Sequence, residues 1–189
     1  MSYLYIKGGT MTQKNFLAVK NDPNGILEVT GGEISSDHSA IQNWFKATIT
    51  GGKITGQLWT DSYVEGESVG ETIIGGNAEF NGEIVMDITG NIAPALRITG
   101  GTLNITNVRI TTAAAAVGAK PAVSGGIFNT EVKDEWCVEG FAPKALEDGT
   151  YGVEQLVKLV ATEGVLGESV RFYILTNRYG DLRFRIRIT

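Results

Sequence analysis

The 189-residue chain has one cysteine, Cys137, and one histidine, His38. A lone thiol cannot close an internal disulfide, so the fold stands without covalent staples. One imidazole and one thiol far apart in sequence do not give the ligand spacing of a metal site. A Ser-His-Asp arrangement would have to use His38, which sits in the polar run Ser35-Ser36-Asp37-His38-Ser39 and lacks an evident positioned partner. Basic charge is also short. Sixteen Lys and Arg against 21 Asp and Glu leave a net charge of −5, which excludes the basic footprint of a non-specific nucleic-acid binder. No apolar run approaches the roughly 18 residues of a membrane helix, so no membrane insertion is expected. The start, Met1 to Thr10, lacks a basic stretch followed by an apolar core and so does not read as a secretory signal. Opening on Met1 also speaks against a trimmed chain. There is no P-loop, dinucleotide fingerprint, nucleophile elbow or spaced calcium loop. Catalytic residues, metals and cofactors are accordingly all expected to be none.

What the chain does have is repetition. The pattern apolar-x-Gly-Gly-x-apolar begins at Ile6, Val29, Ile49, Ile73, Ile98 and Val123, with first glycines at 8, 31, 51, 75, 100 and 125. The steps are 23, 20, 24, 25 and 25 residues, the length of one coil of a parallel β-helix. Between doublets the residues alternate. Leu96, Ile98, Leu103, Ile105, Val108 and Ile110 form an inward set, while Arg97, Thr99, Thr102, Asn104 and Arg109 face out; this is strand periodicity. A corner repeated once per coil needs φ > 0, which glycine reaches without a Cβ penalty. Gly100→Val is therefore expected to damage folding. The fold expected is mainly β: a right-handed parallel β-helix of about six coils over residues 1–128, roughly 30 Å long at about 4.8 Å per coil. The bland alternative is a β-sandwich with Gly-Gly turns. Asp22-Pro-Asn-Gly25 reads as a tight turn. The polar stretch Trp59–Glu71, with four acids, reads as a bulging loop, and Thr112–Pro121 as a helical turn or flat loop.

After Phe128 the repeat stops, and residues 129–189 read as a small α+β capping or oligomerisation domain. Glu154–Thr162 has helical spacing, whereas Ser169–Thr176 and Leu182–Thr189 read as strands around an Asn177–Asp181 turn. Residues 129–170 carry three basic and nine acidic side chains, and residues 171–189 five arginines and one acid. The last strand puts Leu182, Phe184, Ile186 and Ile188 on one face and Arg183, Arg185 and Arg187 on the other. Phe184, Ile186 and the three arginines are the expected oligomer contacts, since arginine suits interface pairing with acids. Charge runs of this kind are also commonly just solvated faces.

Trp44, Trp59 and Tyr63 are the candidate binding residues, because aromatic rings stack on sugars and anchor interfaces; covering the core at coil edges is the plainer role. Glycoside hydrolysis needs paired carboxylates. Asp61, Glu65, Glu67, Glu71 and Asp87 are the acids that could supply them, against the ordinary expectation that loop acids are solvated.

From Val123-Ser-Gly-Gly-Ile-Phe128, through Val132 and Gly140-Phe141, to Asp148-Gly-Thr-Tyr151, the chain resembles Gly-Gly-repeat β-helix proteins of bacterial surfaces and phage virion fibres and spikes. The resemblance covers roughly residues 90–153. It carries architecture and little about activity. This chain lacks the long array and the secretion signal of a cell-wall protein, which turns the resemblance towards phage fibres. It implies a non-enzymatic virion protein, a head or tail fibre or capsid decoration, assembled in the host cytoplasm as a trimer or other homo-oligomer with other virion proteins as partners. The alternatives are a cell-surface adhesin that binds surface glycan and a small polysaccharide depolymerase. The first coil, with little material ahead of its corner, is expected to be covered by a partner or a neighbouring copy.

Overall fold

The glycine doublets set the corners of a parallel β-helix. The computed structural model describes residues 1–63 and 68–156. Its strands are β1 (Ser2–Gln13), β2 (Val19–Asn21), β3 (Gly25–Asn43), β4 (Lys46–Ser62), β5 (Glu71–Ile74), β6 (Glu79–Ile88), β7 (Ala95–Ile110), β8 (Pro121–Phe128), β9 (Phe141–Ala145) and β10 (Tyr151–Gln155), with a short helix α1 (Thr112–Ala116). β1 to β8 pair in parallel, and the long strands bend at corners so that each serves two or three faces. The first face stacks β1-β3-β4-β5-β7-β8. The second stacks β1-β3-β4-β6-β7-β8, and the third β2-β3-β4-β6-β7.

Alternation along each strand becomes columns through the stack. Ile6, Val29, Ile49, Ile74, Ile98 and Val123 lie in register on the first face. Met11, Ile34, Ile54, Phe80, Leu103 and Phe128 do so on the second, and Val19, Ile41, Leu58, Ile84 and Val108 on the third. The central members are fully buried, and each contributes about 1.5–3 kcal/mol of burial. The inward set read from Leu96–Ile110 holds: its first four members are buried and Val108 and Ile110 are half-buried.

The two glycines of each doublet have different jobs. The second takes positive φ, 89° at Gly32 and 91° at Gly101. At the first, space decides. A Cβ on Gly51 would sit 2.4 Å from the Thr30 carbonyl oxygen, and one on Gly125 2.3 Å from that of Thr99. The expectation of φ > 0 at Gly100 is thus corrected, since the left-handed residue is Gly101.

One polar ladder runs inside. Asn43 is fully buried. Its Oδ1 accepts from Asn21 Nδ2 (2.7 Å), and its Nδ2 donates to the Glu71 carbonyl and Thr72 Oγ1, each at 2.9 Å. Thr60 Oγ1 donates to Thr72 Oγ1 at 2.7 Å. Buried amides and hydroxyls persist where they are satisfied in this way.

Several expectations change. The helix makes about five turns rather than six, because β8 is not continued onto the third face and the chain leaves it through a 3₁₀ turn, Asp134–Trp136. Trp59–Ser62 is strand, paired with Val85–Ile88, so the departure from the coil begins only at Tyr63. Glu154 and Gln155 belong to β10, which pairs antiparallel with β9, not to a helix; backbone pairing overrides the helical spacing there. Thr112–Ala116 is helical, with Thr111 as N-cap. The Asp22–Gly25 turn is present, closed by Gly25 N–H donating to the Asp22 carbonyl at 2.9 Å. The expected elements of 157–189 lie outside the described residues.

Candidate functional site

The third face ends each coil with one residue that turns away from the bore. In successive coils these are Trp44, Asp61, Asp87 and Thr111, each following the paired residues Asn43, Thr60, Met86 and Ile110. Asp61 and Asp87 are direct register partners. Two carboxylates therefore sit one coil apart, with a hydrogen-bond donor at each end of the row. Trp44 Nε1 donates to Asp61 Oδ2 at 2.9 Å, and Thr111 Oγ1 to Asp87 Oδ1 at 2.7 Å.

Asp61 is 5% exposed, and its Oδ1 is buried without a partner among the described residues. The returning chain packs closely on its backbone: a Cβ on Gly70 would lie 2.0 Å from the Asp61 carbonyl oxygen. Burial raises the Asp61 pKa to about 6; the Trp44 hydrogen bond lowers it, and the Asp87 charge raises it further. Asp87 is half-buried, and its Oδ1 also accepts from the Ile88 N–H.

Of the three aromatic candidates, the structure brings two together. Trp44 and Tyr63 stack with ring centroids 5.5 Å apart and planes 15° apart. Lys20, on the preceding coil, places its ammonium 4.4 Å from the Trp44 centroid. Trp59 belongs to a separate group. Its Nε1 donates to Gln57 Oε1 (2.9 Å), and the Arg109 guanidinium lies 5.1 Å from its ring. Glu83 ties this group together, accepting from Gln57, Asn107 and Arg109. Burial pushes the Glu83 carboxyl up, but the hydrogen bonds from Arg109 and Asn107, with the Arg109 charge, hold it below its usual value. All three aromatics are half-buried, so they cover the core at coil edges while keeping part of each ring in solvent.

His38 Nδ1 is 2.8 Å from Ser39 Oγ, and among the described residues no carboxylate is bonded to its ring. No group of three or more potential metal ligands converges among those residues, and none of their helices is long and apolar enough to cross a membrane. A cavity of about 250 Å³ lies where the third face stops short, lined by Ile105, Val108, Phe128, Val132 and Trp136. The expected contacts Phe184, Ile186, Arg183, Arg185 and Arg187 lie outside the described residues, as do Glu65 and Glu67.

The carboxylate pair is the feature that sequence reading placed only in part. Two acids one coil apart have roughly the spacing that glycoside hydrolysis uses. Here, however, Asp61 is enclosed by Trp44 above and residues 68–70 alongside, so a sugar has no direct approach to it.

Fold and site together define a parallel β-helix with one satisfied polar ladder inside it. Comparison with known proteins gives no match to a family model, a curated protein or a solved structure.

Proposed function

We propose that this protein is a non-enzymatic structural component, a phage fibre or capsid-decoration protein that works by self-assembly. The observation that carries the reading is the first coil. Among the described residues β1 pairs only with β3, which leaves one edge of a 12-residue strand open. Met1, Tyr3, Leu4, Tyr5 and Phe16 are 77, 56, 44, 53 and 65% exposed beside it. Natural proteins blunt edge strands with charge, proline or brevity. β1 has no proline, and its one charge, Lys7, sits beside the corner. An unprotected edge fringed by aromatics is a surface for assembly. The virion setting rests on the sequence resemblance alone.

The adhesin reading draws on the Trp44–Tyr63 stack. Its weakness is physical: the preceding coil puts Lys20 against Trp44 and the following one puts Tyr63 there, so a sugar would have to displace one of them. Sedimentation velocity from about 1 to 100 μM tests the structural reading. Concentration-dependent oligomers are expected, and a monomer throughout would overturn it. Saturable glycan binding lost in Trp44→Ala, with no self-association, would favour the adhesin.

A further inference from the structure

We infer that the first coil is the interface of a closed, two-fold dimer in which two copies meet head to head and β1 pairs antiparallel with β1 of the second copy. The inference rests on the self-assembly reading and names its partner and geometry.

The two ends of the stack differ. Among the described residues the far end is finished by the antiparallel hairpin β9–β10, whose outer strand β9 is five residues long and contains Pro143. Both features discourage further pairing. The near end has neither. End-to-end stacking of the near end on the far end would join an open edge to a blunted one, whereas near end on near end joins two open edges.

The sequence of β1 is also complementary to itself. Its corner lies at Gly8-Gly9, with Gly9 at φ 85°, and the arms Ser2–Ile6 and Thr10–Gln13 run along two faces. A two-fold axis bisecting that corner lays each arm on the other arm of the second copy. Ile6 then meets Met11, Leu4 meets Gln13, and Tyr5 meets Thr12. The pleat agrees. Leu4 and Ile6 share columns with the buried Leu27 and Val29, and Met11 and Gln13 with the buried Ile34 and Ser36. Inward residues therefore face inward ones, as an in-register pairing demands. Charge agrees too. Residues 1–21 carry Lys7, Lys14 and Lys20 and no acid, so a badly chosen register would oppose like charges. In this one Lys7 faces Thr10, and Lys14 faces Tyr3, an aromatic ring that a cation favours. The coil from Gly8 to Gly31 spans 23 residues, within the roughly 20–30 residues a side of a standard interface. An isologous contact of this kind closes at two copies.

The test is pulsed electron–electron spin spectroscopy on the full chain in a Cys137→Ser background. One sample carries a spin label at Thr10→Cys and another at Glu147→Cys; both sites are exposed. Head-to-head dimers place the Thr10 labels within about 30 Å. They place the Glu147 labels beyond about 45 Å, from some five coils of about 4.8 Å on each side. A Tyr3→Glu, Tyr5→Glu variant changes two exposed residues, so it should keep its circular dichroism and weaken the dimer at least tenfold. Oligomers with long Thr10 distances would overturn the head-to-head geometry and leave self-assembly standing. A wild type that stays monomeric would overturn both.

Discussion

Replacing Asp61 by asparagine should make the protein more stable at pH 8. Asp61 sits among Trp44, Ser62 and Asp87, with one oxygen buried and without a partner among the described residues. Its pKa rises from 3.8 to about 6. A carboxyl whose pKa is raised by folding binds its proton more tightly in the native state. Its neutral form therefore supports the fold fully below pH 4, and that support drains away as pH climbs through 6. A rise of this size is equivalent to at most about 3 kcal/mol. An asparagine is neutral at every pH, keeps an oxygen for Trp44 Nε1, and can donate towards Asp87. It should therefore stabilise the protein by up to about 2–3 kcal/mol at pH 8 and by little at pH 4. Urea unfolding of wild type and Asp61→Asn at half-unit steps from pH 4 to 8 measures this directly. The two midpoint curves should converge at the acid end and separate between pH 4 and 6. Parallel curves, or a variant that is weaker at pH 8, would refute the idea that the Asp61 charge is a burden on the fold.

Trp44→Phe should remove the side-chain donor that Trp44 gives Asp61 and move its titration above 6, read as the carboxyl carbon shift by NMR. Gly51→Ala should cost more than about 2 kcal/mol in chemical denaturation, since its Cβ meets a backbone carbonyl at 2.4 Å, whereas Gly8→Ala, with nothing within 4 Å, should stay within about 0.5 kcal/mol. Asn43→Ala should cost about 3 kcal/mol or more, because it removes the hydrogen bonds that Asn43 accepts from Asn21 and the Phe45 N–H and those it donates to the Glu71 carbonyl and Thr72; a loss under about 1 kcal/mol would mean water replaces the amide.

The fold was legible because β-helix information is local and repeated. Each Gly-Gly doublet marks a corner, and alternation between doublets marks the inward side, so Leu96–Ile110 could be assigned without reference to any other coil. The role of each glycine was not legible. A close approach to the carbonyl of the preceding coil depends on stacking, which a single coil does not encode. The carboxylate row was hidden for a related reason. Counted from the first glycine of their doublets, Trp44, Asp61, Asp87 and Thr111 lie 13, 10, 12 and 11 residues on. Corner insertions such as the register shift between Ser35 and Ser39 absorb the difference. Asp61 and Asp87 are both visible as acids in the sequence, yet only the β4–β6 register makes them partners. Similarly, Trp44 and Tyr63 could be named as edge aromatics, but their stacking needs the chain to return one coil later.

The polar ladder also accounts for why this stack adopts one register. The apolar columns are built from Ile, Val, Leu and Phe, which are nearly interchangeable as neighbours, so sliding one coil against another would keep most of their contacts. Asn43 does not tolerate such a slip. Its carbonyl oxygen is satisfied by Asn21 of the preceding coil and its amide nitrogen by Glu71 and Thr72 of β5, the strand stacked beyond β4, and a shift of two residues would leave buried donors unpaired. Each stranded group costs about 1–3 kcal/mol, more than the change in apolar burial would recover. Because each coil touches only its neighbours, one such residue in the middle of the stack fixes the coils on both sides of it. The glycines thus give the shape, the apolar columns most of the stability, and Asn43 the alignment.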